Sequence, residues 1–196
     1  MWTELKRAVR FTLVTMVLLG IGYPLVVWSI GRTLFPAQAE GSLILRDDGT
    51  VVGSRLLAQR FTRDDYFYPR PSAVDYNAAS TGGSNLGPSN PEHLKSVRER
   101  LGAVTTREGV TPGQVPSELV TASGGGLDPH IPPQAAELQA RRIAEARGVP
   151  VERVRELIHS HTQAPALGFL GRPVVNVLEL NLALDSAFGI APAGRR

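Results

Sequence analysis

The chain has 196 residues, 42% of them apolar, with no cysteine and a formal charge of +3. The lack of cysteine removes any disulfide framework, thiolate metal site or cysteine nucleophile. Four of the 21 basic side chains but only one of the 18 acidic ones lie within residues 1–35, so the remainder is electrically balanced. A balanced body argues against nucleic-acid binding, which needs a basic face to neutralise phosphates.

In chain order, the first predicted element is a membrane span. Phe11 to Ile30, FTLVTMVLLGIGYPLVVWSI, is twenty residues without a charge. A helix of that length covers about 30 Å, the thickness of a bilayer's hydrocarbon core. Trp2 and Trp28 lie near its two ends, where indole rings favour the headgroup level. Gly20 and Gly22 would let a neighbouring helix approach closely. Lys6, Arg7 and Arg10 precede the span and only Arg32 follows it. The positive-inside rule therefore predicts a cytoplasmic segment over 1–10, a span over 11–30, and an exported remainder reached through a linker over 31–41. Ala37-Gln38-Ala39 also has the small-x-small pattern of a signal-peptidase site. Cleavage after Ala39 would release a periplasmic binding protein or enzyme. The length of the apolar run favours the uncleaved anchor, and both readings export the rest.

Residues 42–196 read as a small α+β domain. Ser42 to Ser54, SLILRDDGTVVGS, has the strand–turn–strand pattern of a β-hairpin. Asn90 followed by Pro91 and Glu92 predicts a helix start, with Leu94, Val97 and Leu101 at helical spacing and Gly102 as its stop. Glu118 to Ala122 is expected to be a short strand. Pro132 or Pro133 starts a helix that runs to Gly148 with Ala136, Ala140, Ile143 and Ala144 on one face. A second helix is expected from Val151 to His161. VVNVLELNLALDSAF fits either period, and its Leu, Ala and Glu content favours a helix after a short strand at Val174 to Val177.

The glycine-rich stretch SGGGLDPH, residues 123–130, poses the question of phosphate binding. A P-loop needs a lysine and a hydroxyl after its last glycine. SGGGLDPH has no lysine, and GGSNLGPS, residues 82–89, has Pro88 where the lysine belongs. The chain also contains no Asp-Lys-Thr-Gly, the sequence bearing the phosphorylated aspartate of P-type ATPases. What remains is a backbone nest over Ser123, Gly124, Gly125 and Gly126. Asp128 would repel a phosphate there, and the favoured reading is a structured turn that positions Asp128 and His130. His159 and His161 have no metal-site spacing, and no serine-elbow motif supplies a nucleophile, so neither a metal site nor a catalytic residue is assigned.

YFYPRPSAVDYN is the other unusual stretch. Five of the twelve aromatic side chains fall between Phe61 and Tyr76, and Pro69 and Pro71 hold Arg70 extended. Aromatic rings and an arginine on a stiff loop suit an interface, and they suit a core beneath a long loop equally well. The candidate partner contacts are Gly20 and Gly22 in the span, and Tyr66, Phe67, Arg70, Tyr76, Asn77 and Asn85 in the loop-rich block.

Taken in order, the basic N-terminus, the single span, GS…DGTVVGS, FTRDDYFYPRPSAVDYNAASTGGSNLGPSNP, VTASGGGLDPHIPPQAA and LGFLGRPVVNVLELNLALD closely resemble KdpC. That family supplies the C subunit of the bacterial Kdp potassium-transporting P-type ATPase. The resemblance covers nearly the whole chain and departs mainly around Thr105 to Pro116 and in the three consecutive glycines, Gly124 to Gly126. It implies a plasma-membrane complex with a channel-like potassium-binding subunit (KdpA), an ATPase subunit (KdpB) and a very small subunit (KdpF). It implies a non-catalytic role in stabilising that complex, with no firmly bound cofactor. It further implies a catalytic-chaperone action that raises ATP affinity through a transient complex with the ATPase subunit, with Ser123 to Gly126 as the nucleotide contact. An exported domain conflicts with that last implication, because ATP is cytoplasmic.

Overall fold

The computed structural model describes residues 1–46 and 48–189. The chain divides into two compact units, Met1–Ser54 and Arg55–Arg196.

The first unit is built on one helical rod, Trp2–Leu34, which is 33 residues long, apolar enough to cross a bilayer, and nowhere buried against the protein. The predicted span over 11–30 lies inside it. Two α-helices, α1 (Trp2–Val17) and α2 (Tyr23–Leu34), are joined by a π-helical turn, Leu18–Gly22. Pro24 accounts for that turn, since it has no N–H to give and its ring crowds the carbonyl four residues back. Widening the turn so that the Tyr23 N–H reaches the Leu18 carbonyl relieves the crowding just ahead of the proline. The hydroxyls of Thr15 and Ser29 donate to the Phe11 and Leu25 carbonyls at 2.9 and 2.7 Å, so neither donor is left open to hydrocarbon. A short helix, α3 (Pro36–Ala39), carries the Ala37-Gln38-Ala39 pattern. The expected hairpin follows as β1 (Leu43–Leu45) and β2 (Val51–Ser54), antiparallel with a bulge between Ile44 and Leu45. Its turn is held by the Thr50 N–H on Asp48 Oδ1 at 2.8 Å and by Gly49 at φ +81°.

The second unit is an α+β domain. Its first helix, α4 (Pro91–Glu108), starts as expected, with Asn90 Oδ1 accepting the Glu92 N–H at 2.8 Å. It does not stop at Gly102. Val104 carries the apolar row one turn further into the core, and Gly109 at φ +65° supplies the left-handed stop. The strand expected at Glu118 to Ala122 is also absent. A 3₁₀ turn, Ser117–Leu119, follows Pro116 there, and the Ser117 carbonyl accepts both the Val120 and Thr121 N–H groups. With its backbone satisfied locally, the segment buries Leu119 and Val120 without a partner strand.

A three-stranded antiparallel sheet has β5 (Val174–Asn176) between β3 (His130–Ile131) and β4 (Thr162–Gln163). Val175 faces Ile131 on one side and Thr162 on the other. Helices α5 (Pro133–Arg147), α6 (Val151–Ser160) and α7 (Val177–Phe188) build the rest. The ambiguous C-terminal run is thus a strand and then a helix. Asn176 makes the switch, since its Oδ1 accepts the Glu179 N–H and its Nδ2 donates to the Arg55 carbonyl. The alanine face of α5 lets its neighbours pack closely, and Ile143, Val154, Ile158, Val175, Leu180 and Leu184 fill the core with Phe67.

Candidate functional site

The two glycine-rich stretches meet. The Gly82 N–H donates to the Gly125 carbonyl at 3.1 Å, and the Ser123 N–H donates to the Pro71 carbonyl at 3.2 Å. A Cβ on Gly83 would stand 2.8 Å from the Gly124 oxygen. A Cβ on Gly126, which sits at φ +71°, would stand 2.7 Å from Val74 Cγ2 and 2.8 Å from the Gly82 oxygen. Glycine is required here for close backbone approach. The Gly126 N–H donates to the Ser123 carbonyl, so two of the four N–H groups of the expected nest are engaged within the protein. Gly124 and Gly125 remain exposed, and a Cβ on either meets nothing within 4 Å. Gly126→Ala is therefore expected to cost about 2–3 kcal/mol through left-handed strain and overpacking, while Gly124→Ala stays within about 0.5 kcal/mol. Denaturant titrations of the two variants check this, and equal effects would count against the interlock.

Asp128 is the anchor of the turn. Its Oδ1 accepts the His130 N–H at 3.0 Å and lies 3.6 Å from His130 Nδ1, while its Oδ2 accepts from Arg70 Nη1 at 3.1 Å. Burial pushes the Asp128 carboxyl up, but the adjacent His130 ring, the hydrogen bond from the His130 N–H and the charge of Arg70 outweigh it. The net effect holds the carboxyl below the usual carboxylate range. A depressed folded pKa contributes stability above the unfolded value of about 3.9, lost as pH falls through the folded one. Asp128→Asn should accordingly weaken the loss of stability on acidification below about pH 4, relative to the parent chain, in thermal melts across pH. Arg70 is thus turned inward onto its own domain. Tyr76 closes the same loop, its hydroxyl donating to the Arg70 carbonyl at 2.9 Å and its N–H to Ser72 Oγ at 2.9 Å. Asp75 and Tyr76 both stand at positive φ, +57° and +58°.

The aromatic triplet is bound down by side-chain amides. Asn181 Oδ1 accepts the Phe67 N–H at 2.8 Å and its Nδ2 donates to the Phe67 carbonyl at 3.0 Å. Gln139 does the same for Tyr68, at 2.8 and 3.2 Å. Two helices, α7 and α5, thereby give an irregular segment the hydrogen bonds that a neighbouring strand would supply. Phe67 is fully buried, so its ring belongs to the core and cannot serve as the partner contact expected from the sequence. Tyr66 donates its hydroxyl to Asp185 at 2.8 Å, and the guanidiniums of Arg147 and Arg63 lie 5.1 and 5.2 Å from its ring centre. Burial and the Asp185 carboxylate push its phenol up. Beneath the rings run two ion clusters. Arg147 bridges Asp65 and Asp185, and Arg142 and Arg107 share Glu108, whose side chain is wholly buried.

Asn77 and Asn85 are exposed. Asn77 Oδ1 accepts the Ala79 N–H at 3.0 Å, and Asn85 turns its loop at φ +54°. In the first unit, a Cβ on Gly20 would meet nothing within 4 Å, which leaves that helix face smooth. Sequence reasoning passed over two features. One is the set of buried polar anchors, Gln139, Arg147 and Asn181; the signal was a lone Asn inside the leucine run LELNLAL. The other is a hairpin turn closed by Ala166 and Leu170, which exposes Leu167 and Phe169 at 82% and 74%. Its signal was an apolar run, ALGFL, between Pro165 and Gly171 with neither helical nor strand period. An exposed apolar tip of this kind suits a contact with another molecule.

Among the described residues, no group of three or more His, Asp or Glu side chains could hold a metal ion. The molecule is an α+β domain whose polar clusters are largely engaged internally, preceded in the chain by one helix long and apolar enough to cross a bilayer. Residues 5–186 match the family model described as KdpC, the K+-transporting ATPase c chain. The chain is 51% identical over 181 residues to the potassium-transporting ATPase KdpC subunit of Citrifermentans bemidjiense, covering 91% of this chain and 94% of that protein. It is 50% identical over 185 residues to the subunit of the same name in Polaromonas naphthalenivorans, covering 93% and 94%. With the Geobacter sulfurreducens subunit it shares 49% identity over 186 residues, covering 93% and 97%. The chain belongs to the KdpC family.

Proposed function

We propose that the chain is the non-catalytic accessory subunit of an ATP-driven potassium-uptake complex in a bacterial plasma membrane. In this reading the N-terminus is cytoplasmic, and the α+β domain lies outside and steadies the channel-like KdpA subunit beside the ATPase subunit KdpB and the small KdpF. The observation that carries the sidedness is the bare apolar helix with Lys6, Arg7 and Arg10 at one end and Arg32 alone at the other. Family membership supports the complex. The exposed Leu167 and Phe169 suit a domain that works against another surface. The chain has no native cysteine, so a single introduced thiol reports sidedness cleanly. Ser123 is buried, which makes the open position Gly124 the better probe. A Gly124→Cys variant should be labelled by a membrane-impermeant maleimide in intact cells. Labelling only after permeabilisation would place the domain in the cytoplasm and end this reading.

A second reading has the SGGG backbone touch nucleotide and raise the ATPase subunit's affinity for ATP. The open, exposed Gly124 and Gly125 favour it. Replacing both by alanine adds no clash, so a raised KM for ATP with assembly intact would support a contact. An unchanged KM would remove it.

A further inference from the structure

A hollow of about 230 Å³ lies in the second unit between α4 and the segment around the two prolines. The Tyr68 and Tyr76 rings and Pro71 line one side, and Arg100, Ala103 and Arg107 line the other. Arg100 and Arg107 are seven residues apart on one helix, so they stand on the same face two turns apart. Ala103 between them is small enough to leave the gap.

The charges there do not balance. Arg100 donates to the Val120 carbonyl at 3.3 Å, and among the described residues no carboxylate lies within 4 Å of it. Arg107 is paired with Glu108, but Glu108 is also held by Arg142 at 3.0 Å. Arg60, beside the Tyr76 ring, is paired with Asp75. Arg107 and Arg142 thus share one carboxylate, and Arg100, on the same concave wall as Arg107, has none within 4 Å among the described residues. Partly desolvated guanidiniums favour a second anion. The rest of the lining is aromatic ring, proline, alanine, Val104 and Leu119; the Tyr76 hydroxyl is already spent on the Arg70 carbonyl and the Tyr68 hydroxyl on Asp64 at 3.4 Å. The recess therefore suits one carboxylate on a short apolar stem. Its volume falls below the roughly 300–1,000 Å³ of ordinary small-molecule sites, which makes it a poor receptacle for a nucleotide.

We propose that this recess receives the carboxylate of a Glu or Asp side chain from a partner polypeptide, seated between Arg100 and Arg107 over the Tyr68 and Tyr76 rings. The source of the carboxylate rests on the accessory-subunit reading.

The test uses the assembled complex. A photo-crosslinking amino acid at Ala103 should join the chain to a partner peptide that carries an acidic residue within a few positions of the crosslink. Arg100→Glu should weaken co-purification on the order of tenfold or more, and changing that partner acid to arginine should restore it. A misfolded Arg100→Glu chain would not be rescued by a charge on another subunit, so the swap separates recognition from stability. If wild-type chain co-purifies with its partners and Arg100→Glu does so equally well, the recess proposal fails while the accessory-subunit reading stands. If wild-type chain itself fails to co-purify, the accessory-subunit reading fails instead. Should succinate raise the melting temperature in an Arg100-dependent way while assembly ignores Arg100, the site serves a free acid and the partner assignment is overturned.

Discussion

Replacing Arg147 with alanine is expected to destabilise the α+β domain by about 3–5 kcal/mol, the range for breaking a buried ion pair. Its side chain is 1% exposed, and each guanidinium nitrogen has a task. Nε donates to the Asp65 carbonyl at 2.8 Å, Nη1 to the Gly189 carbonyl at 2.8 Å, and Nη2 to Asp185 at 2.9 Å with Asp65 Oδ2 at 3.5 Å. Alanine removes the cation that pairs with Asp185, which keeps the hydrogen bond from the Tyr66 hydroxyl. Arg63 still holds Asp65 through two contacts at 2.7 and 2.8 Å, which keeps the expected loss from rising further. Arg147→Lys should recover only part of the loss, because an ammonium cannot reproduce the fork. Urea unfolding of the full chain in detergent measures both. A loss below about 1 kcal/mol for alanine would mean that the pair behaves like an exposed one.

Asn181→Ala should cost a similar amount, about 3–5 kcal/mol, by a different route. The residue is 2% exposed and bonds both backbone groups of Phe67, which is itself fully buried. Alanine leaves a buried N–H and a buried carbonyl without partners, each costing about 1–3 kcal/mol. Asn181→Asp keeps the acceptor for the Phe67 N–H but offers no donor to the carbonyl, and it places a charge in the core. It should therefore be no better than alanine. Asn181→Asp matching the parent in urea titrations would show that the amide pairing is not what holds Phe67.

The parts of the fold that could be read from the sequence were those set by local chemistry. Asn90-Pro91 began a helix, Pro132-Pro133 began another, Gly148 ended it, and an uncharged run of membrane length made a single rod. Gly102 misled because a glycine ends a helix only where the next residues have no reason to continue, and Val104 had one. The Glu118 to Ala122 segment misled because its apolar pair is buried from a 3₁₀ turn rather than from a strand. The site was legible as composition and not as arrangement. The sequence marked both glycine stretches as unusual, but it could not show that they press on each other across forty residues of chain. Arg70 and Asp128 likewise formed a pair only once the fold had joined them. Phe67 shared a segment with the half-buried candidates Tyr66 and Tyr76, and only its amide anchors on α7 disclose that it faces fully inward.

The amide anchors have a consequence in time. Phe67 waits for Asn181, 114 positions further along, and Tyr68 waits for Gln139, 71 positions further. A chain made from its N-terminus presents these rings long before their partners exist, and contacts of such separation close slowly. The C-terminal helix α7 is therefore the closing element, and a product that stops short of it leaves the aromatic segment open for quality-control proteases to find.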